Sequence, residues 1–215
     1  MKVLAVVSQK GGVGKTTLST ALAVEAAKRG HSPVVFDLDP QASASFWNDS
    51  RETTDIAVTA TPPARLSHML AAARDAGCEL AIIDTPPFAK DIAFEAAKCA
   101  DFILVPTRPA VLDVMAMTRT IELVGHHKKS FAVVLTFCPP QGREAEDTAQ
   151  VIQQLGADLA PVRIGHRVAY SRAQQTGLAA QEIEPDGKAA AEIRHLYDYA
   201  CRHLYTSAPM ELEPA

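Results

Sequence analysis

The chain has 215 residues, of which 47% are hydrophobic and 21% charged, proportions that exclude a wholly disordered or fibrous protein. At roughly 150 residues per domain, that length predicts one sizeable domain. The formal net charge of −4 argues against a surface that grips nucleic acid everywhere, so any DNA contact has to come from a local patch. No apolar run approaches the ~20 residues needed to span a bilayer, because a charged residue interrupts every candidate. Cys78, Cys99, Cys138 and Cys201 lie far apart with no CxxC pair, the usage expected of a reduced, cytoplasmic protein.

In chain order, the apolar run 1–7 is followed at once by Gln9-Lys10-Gly11-Gly12, without a small-residue cleavage site. It reads as a buried strand rather than a signal core. Strands are predicted at 2–8, 33–37, 56–60, 80–84, 102–106, 131–137 and 161–164, and helices at 15–29, 64–76, 92–100, 112–126 and 144–155. Val3-Leu4-Ala5-Val6-Val7, Leu80-Ala81-Ile82-Ile83 and Ala132-Val133-Val134-Leu135 are continuously apolar, as in parallel strands covered on both faces. Gly30, Gly77 and Gly156 stand just past three of the helices, where left-handed caps belong. A last helix, 188–205, carries Ile193, Leu196, Tyr197, Ala200, Cys201 and Leu204 on one stripe. The expected fold is α/β, a doubly wound, mostly parallel sheet flanked by helices, forming one domain over 1–206. Residues 207–215 are expected to be a disordered tail. In such sheets ligands bind beyond the carboxyl ends of the strands.

The residues after the first strand carry the chemistry. Gln9-Lys10-Gly11-Gly12-Val13-Gly14-Lys15-Thr16-Thr17 precedes a helix. Glycines let backbone N–H groups turn inward as an anion nest, and the helix N-terminus adds partial positive charge. Lys15 then reaches the β- and γ-phosphates, the Thr16 hydroxyl ligates Mg²⁺, and Thr17 donates to the α-phosphate. This is the loop of a P-loop NTPase. It departs from GxxxxGK[ST] because Gln9 replaces the first glycine and Lys10 precedes the glycine pair. A lysine so placed folds back on its own phosphates less easily than Lys15, and a role between molecules is more natural.

Lys10 to Thr17 resembles the deviant Walker A motif of the ParA/MinD ATPases. The resemblance continues at Asp37-Leu38-Asp39-Pro40-Gln41, similar to the DxDPQ switch of ParA-type partition proteins, and at Ile82-Ile83-Asp84-Thr85-Pro86-Pro87, similar to their Walker B segment. It is nearest to the short ParA proteins without an N-terminal helix-turn-helix extension. The resemblance implies ATP and Mg²⁺ as cofactors, with Gly11, Gly12, Val13, Gly14, Lys15, Thr16 and Thr17 holding the nucleotide. Asp84 would hold a metal-bound water, which removes the cost of a carboxylate at the end of a buried strand. Asp39 would orient the attacking water, and Asp37 would support either the metal or the switch geometry. Lys10 would cross a homodimer interface to the other subunit's nucleotide, so that Lys10, Lys15 and Asp39 make up the catalytic set. It further implies an ATPase that dimerises on ATP, binds DNA non-specifically as the dimer, and is released by a ParB-like partner. Such a protein is bacterial, cytoplasmic and nucleoid-associated when ATP-bound.

Guanine-reading P-loop proteins use NKxD, whereas the chain's only asparagine is Asn48, followed by Asp49-Ser50. The same resemblance implies base contacts near Phe137-Cys138-Pro139-Pro140 and around Gly165 to Ala169. Candidate DNA contacts are Lys128, Lys129, Arg163, Arg167, Arg172, Arg194 and Arg202, nearly balanced by nearby acids. A MinD-like membrane regulator would need the last helix as an amphipathic anchor, but that stripe reads more simply as packing on the body, with no membrane partner. A protein-cargo positioning ATPase is a further alternative. A nitrogenase-type iron–sulfur site on Cys99 and Cys138 is set against buried free thiols. Phe46 and Trp47 read as core or dimer-edge packing. Arg108, in Pro106-Thr107-Arg108-Pro109, lies near the site as a dimer or partner contact or as plain surface.

Overall fold

In the computed structural model, residues 1–205 are described; the tail expected at 207–215 lies outside them. In chain order the elements are β1 (Lys2–Val6), α1 (Lys15–Lys28), β2 (Pro33–Asp37), α2 (Ser43–Asp49), β3 (Ala57–Ala60) and α3 (Leu66–Asp75). Then follow β4 (Leu80–Asp84), α4 (Lys90–Cys99), β5 (Phe102–Thr107), α5 (Val111–Gly125), β6 (Ser130–Leu135) and α6 (Glu144–Gln154). The remainder is helical: α7 (Val168–Gln175), α8 (Ala180–Ile183) and α9 (Lys188–Tyr205).

The six strands form one sheet in the order β3-β2-β4-β1-β5-β6, and every pairing is parallel. The continuous apolar runs explain why. Along β1, Leu4 and Val6 point to one core and Val3 and Ala5 to the other, so both faces must be covered. One layer holds Leu18 and Leu22 of α1, Trp47 of α2, and Ile193, Leu196 and Leu204 of α9. The other holds Leu66 and Leu70 of α3, Ala93 and Ala97 of α4, Met117 of α5 and Ile152 of α6. The chain leaves β1 toward β2 on one side, and β4 leads across β1 to β5 on the other. The carboxyl end of β1 is therefore where the crossovers diverge, the usual place for a ligand.

The predicted strand at 161–164 does not form. Pro161 has no N–H to give to a ladder. The segment touches the sheet only on either side of it: the Ala160 N–H donates to the Val133 carbonyl at 2.8 Å and the Ile164 N–H to the Leu135 carbonyl at 2.8 Å. Isolated bridges at Leu159 and Gly165 are what remain. The strand predicted to run to Phe137 stops at Leu135, because Phe137 takes a left-handed φ of 52°. The helix predicted from 64 opens as a short 3-10 turn, Pro63–Arg65, before α3. Gly30, Gly77 and Gly156 do take positive φ, at 82°, 88° and 67°.

The stripe on α9 packs on the body, with Ile193, Leu196, Tyr197, Ala200 and Leu204 buried and Cys201 only partly so. Among the described residues no helix is long and apolar enough to cross a membrane. Leu196→Ala, which empties a fully buried position, is expected to lower stability by about 2–5 kcal/mol in urea unfolding. A loss below about 1 kcal/mol would show that α9 is not part of the core.

Candidate functional site

The loop between β1 and α1 closes on the carboxyl end of the sheet. Gly14 is the residue before α1, at φ 88°, and no side chain caps the helix, so its first N–H groups stay available to an anion. Gly12 is also left-handed, at φ 69°. The loop is pinned from behind by the Thr136 hydroxyl, which donates to the Val13 carbonyl at 2.9 Å. Val13 itself is buried, and so contributes backbone rather than side chain. Lys15 is buried at 6% exposure, and its Nζ donates to the Lys10 carbonyl at 2.9 Å. Burial holds its amine below the usual lysine range, while the charges of Asp84 and Asp39 pull the other way.

Asp84 ends β4 with no exposure to solvent. Its Oδ2 accepts from the Thr16 hydroxyl at 2.7 Å and its Oδ1 from the Ser19 hydroxyl at 3.1 Å. Burial drives its pKa up to about 7, helped by the charge of Asp37; the two hydroxyls and Lys15 oppose it. Asp37 sits beside it in register on β2. The Asp37 carboxylate accepts N–H bonds from Asp39 (3.1 Å), Ala44 (3.0 Å) and Ser45 (3.0 Å), so it holds the start of α2. Asp39 is half-buried, and its Oδ1 accepts the Gln41 N–H at 2.9 Å. Lys10 is also half-buried, and its amine has no hydrogen bond or ion pair among the described residues.

Two cavities meet at this loop. One, of about 450 Å³, is lined by Gly11, Gly12, Gly14, Lys15, Thr16, Thr17 and Asp39, together with Arg108 and Phe137. The other, of about 440 Å³, is lined by Gly14, Thr17, Phe137, Ile164, Gly165, His166, Arg167, Val168 and Tyr170. Gly14, Thr17, Phe137 and Gln174 border both. The cavity that holds the loop glycines, Lys15 and Thr16 thus borders a more apolar one built from both segments expected to contact a base.

Sequence reasoning missed the residues that hold this second wall. Glu192 of α9 accepts the Gly165 N–H at 3.1 Å, the Arg167 Nε–H at 2.8 Å and the Tyr170 hydroxyl at 2.9 Å. Gln174 donates to the Thr20 hydroxyl at 2.9 Å, tying α7 to α1. Arg51 was missed as well: it donates to Asp55, Glu182 and the Gly177 carbonyl, anchoring the end of α2 to α8. Only the Arg51–Asp55 pair, four residues apart, was open to a spacing argument; the partners of Glu192 lie 22 to 27 residues away, and Gly177, Glu182 and Thr20 each lie over a hundred residues from the side chains that reach them. Cys138 is buried with its thiol pushed up to about 11, and Cys99 is half-buried beside Ser67. Among the described residues no group of three or more His, Cys, Asp or Glu is placed to hold a metal.

The model of the CobQ/CobB/MinD/ParA nucleotide binding domain matches residues 4–180. The chain belongs to this family. ParA/MinD relatives of comparable length include two proteins named Maintenance of carboxysome distribution protein A. That of Halothiobacillus neapolitanus is 30% identical, covering 88% of this chain and 91% of its own. That of Gloeobacter kilaueensis is 32% identical, covering 89% and 93%. Protein ParA of Rhizobium radiobacter is 28% identical, covering 93% and 95%. Among solved structures, MinD of Pyrococcus horikoshii complexed with Mg-ADP superimposes with a TM-score of 0.79 at 14% identity, over 97% of this chain and 99% of that one. At that identity the likeness concerns the fold.

The residues of this ParA/MinD-type site fit a magnesium nucleotide. The Thr16 hydroxyl and, through water, Asp84 would hold the ion, the loop N–H groups and Lys15 the phosphates. Mg²⁺ would neutralise charge that accumulates on the phosphates, and it would supply the partner that the buried Asp84 carboxylate lacks. A raised carboxyl pKa destabilises the folded chain once the group ionises: full stability is present below the ordinary value of 3.8 and is lost as pH rises through about 7. Asp84→Asn is therefore expected to raise the melting temperature of the nucleotide-free protein more at about pH 8 than at about pH 5. The same variant should lose the Mg²⁺-dependent part of any nucleotide-induced stabilisation. Equal shifts at both pH values would mean that Asp84 is not held ionised against burial.

Proposed function

We propose that the protein hydrolyses ATP as a positioning ATPase of the partition type, dimerising on ATP and releasing the dimer on hydrolysis. The observation that carries this reading is the contrast between the two lysines of the loop. Lys15 is folded onto the loop itself, whereas the amine of Lys10 is without a partner among the described residues. Phosphoryl transfer depends on placement and charge neutralisation, and a lysine reaching from a second copy would supply both. The surroundings support a face-to-face dimer. Phe46, Phe88, Val111, Leu112 and Met115 are exposed apolar side chains in the segments that follow β2, β4 and β5, at the same end as the loop.

The names of the relatives support two classes of cargo. ParA and the chromosome-partitioning ATPase Soj of Thermus thermophilus, 28% identical over 56% of this chain, support DNA segregation with a ParB-like partner. The two carboxysome distribution proteins support a protein cargo as the alternative. In either case the ATP dimer would bind DNA non-specifically and so associate with the nucleoid. Of the basic candidates, Arg163 is paired with Glu146 at 2.6 Å, Arg167 with Glu192, and Arg194 with the Pro185 carbonyl. Lys128, Lys129, Arg172 and Arg202 have no ion pair among the described residues and make up the proposed DNA-contact set. Burial of the α9 stripe argues against a membrane anchor there.

Size-exclusion light scattering tests the dimer. The wild type should dimerise with ATP and bind DNA only in that state, less tightly as salt rises. Lys10→Ala should bind nucleotide yet stay monomeric, while Asp39→Ala should accumulate as an ATP-bound dimer with little turnover. A normal ATP-induced dimer in Lys10→Ala, or undiminished turnover in Asp39→Ala, would remove these residues from their proposed roles.

A further inference from the structure

We propose that Arg108 is a second cation of the phosphate site, binding the phosphate chain of the nucleotide held by its own subunit. The proposal rests on reading the cavity as an ATP site, and goes beyond it by assigning a residue outside the loop.

Arg108 follows β5 directly, between Pro106 and Pro109, and lines the same 450 Å³ cavity as Lys15. These two are the cations lining that cavity, against one acid, Asp39. Both are engaged in the same way. Lys15 donates to the carbonyl of Lys10, and the Arg108 Nη2 donates to the carbonyl of Gly12, two residues further along the loop. A Cβ on Gly12 would come within 2.9 Å of that nitrogen, so the guanidinium sits close against the loop backbone. A neutral carbonyl is a weak acceptor for a cation compared with a phosphate oxygen. The Arg108 Nε is buried and has no partner among the described residues, a donor left unsatisfied. Anionic oxygens entering the cavity would offer acceptors to both cations.

The guanidinium is also held in place before any ligand arrives. Its carbon lies 4.5 Å from the centroid of the Phe137 ring, which is braced in turn by His166 with ring centroids 5.6 Å apart. Phe137 borders both cavities and holds a left-handed backbone, a conformation that persists only where the surroundings enforce it. A planar fork stacked on a fixed ring loses little freedom on binding an anion. These contacts place the guanidinium against the phosphate loop of its own chain, beside Lys15.

The test is equilibrium binding of Mg-ATP and Mg-ADP to the wild type, Arg108→Met and Arg108→Lys, under conditions where light scattering shows monomer. Loss of a charged hydrogen-bond donor predicts about 10- to 100-fold weaker binding of both nucleotides to Arg108→Met, with part recovered in Arg108→Lys. The wild-type affinity should also fall more steeply with added salt than that of Arg108→Met, because a screened charge contact has been removed. Binding by Arg108→Met within about twofold of the wild type would overturn the proposal. So would a loss with an unchanged salt slope and no recovery in Arg108→Lys, which would reduce Arg108 to packing on Phe137. A wild type that binds neither nucleotide would instead sink the ATP-site reading and this assignment with it.

Discussion

The arrangement turns on one buried carboxylate. Asp84 ends the central strand β4 with no exposure to solvent, and among the described residues only the hydroxyls of Thr16 and Ser19, one turn of α1 apart, satisfy it. Those two bonds tie the first turns of α1 to the end of β4, beside the phosphate loop. Burial without a cationic hydrogen-bond partner is costly, which is why the acid is pushed toward neutrality in the absence of ligand. The site is thus stable as a fold but electrostatically incomplete, a condition common at positions tuned for ligands.

The same logic extends outward from Asp84. Its neighbour in register, Asp37, spends its oxygens on the backbone N–H groups of α2 and so fixes the segment that carries Asp39. The far end of α2 is anchored by Trp47, whose indole donates to the Leu178 carbonyl at 2.9 Å, and by Arg51, bound to Asp55 and Glu182. The layer that carries Leu178 and Glu182 also carries α7, which lines the more apolar of the two cavities. The switch segment and the base wall are therefore built on one continuous block of the fold.

Much of this was legible in the sequence. Strands buried on both faces announce themselves as unbroken apolar runs, and the phosphate loop is named by residue types whose spacing the chemistry demands. The seventh strand misled because an apolar segment with a proline at its start looks like a strand until its N–H groups are counted. Helices α7 and α8 are too short, at 8 and 4 residues, to show a clear period. Glu192 could not be found from spacing, since it reaches Gly165 across 27 residues; Arg108 stood out by its position after the fifth strand, but its contact with the loop joins positions 96 residues apart. Their roles come from the fold, not from a motif.

Asp84 and Thr16 would together complete a site for magnesium with ATP, in a chain without the guanine-reading motif. Titration of the wild-type protein with a fluorescent ATP analogue, with and without Mg²⁺ and in competition with unlabelled ATP or GTP, tests it most directly. Binding should strengthen markedly with Mg²⁺, be displaced by ATP and resist displacement by an equal concentration of GTP. Binding indifferent to Mg²⁺, or displaced equally by GTP, would contradict it.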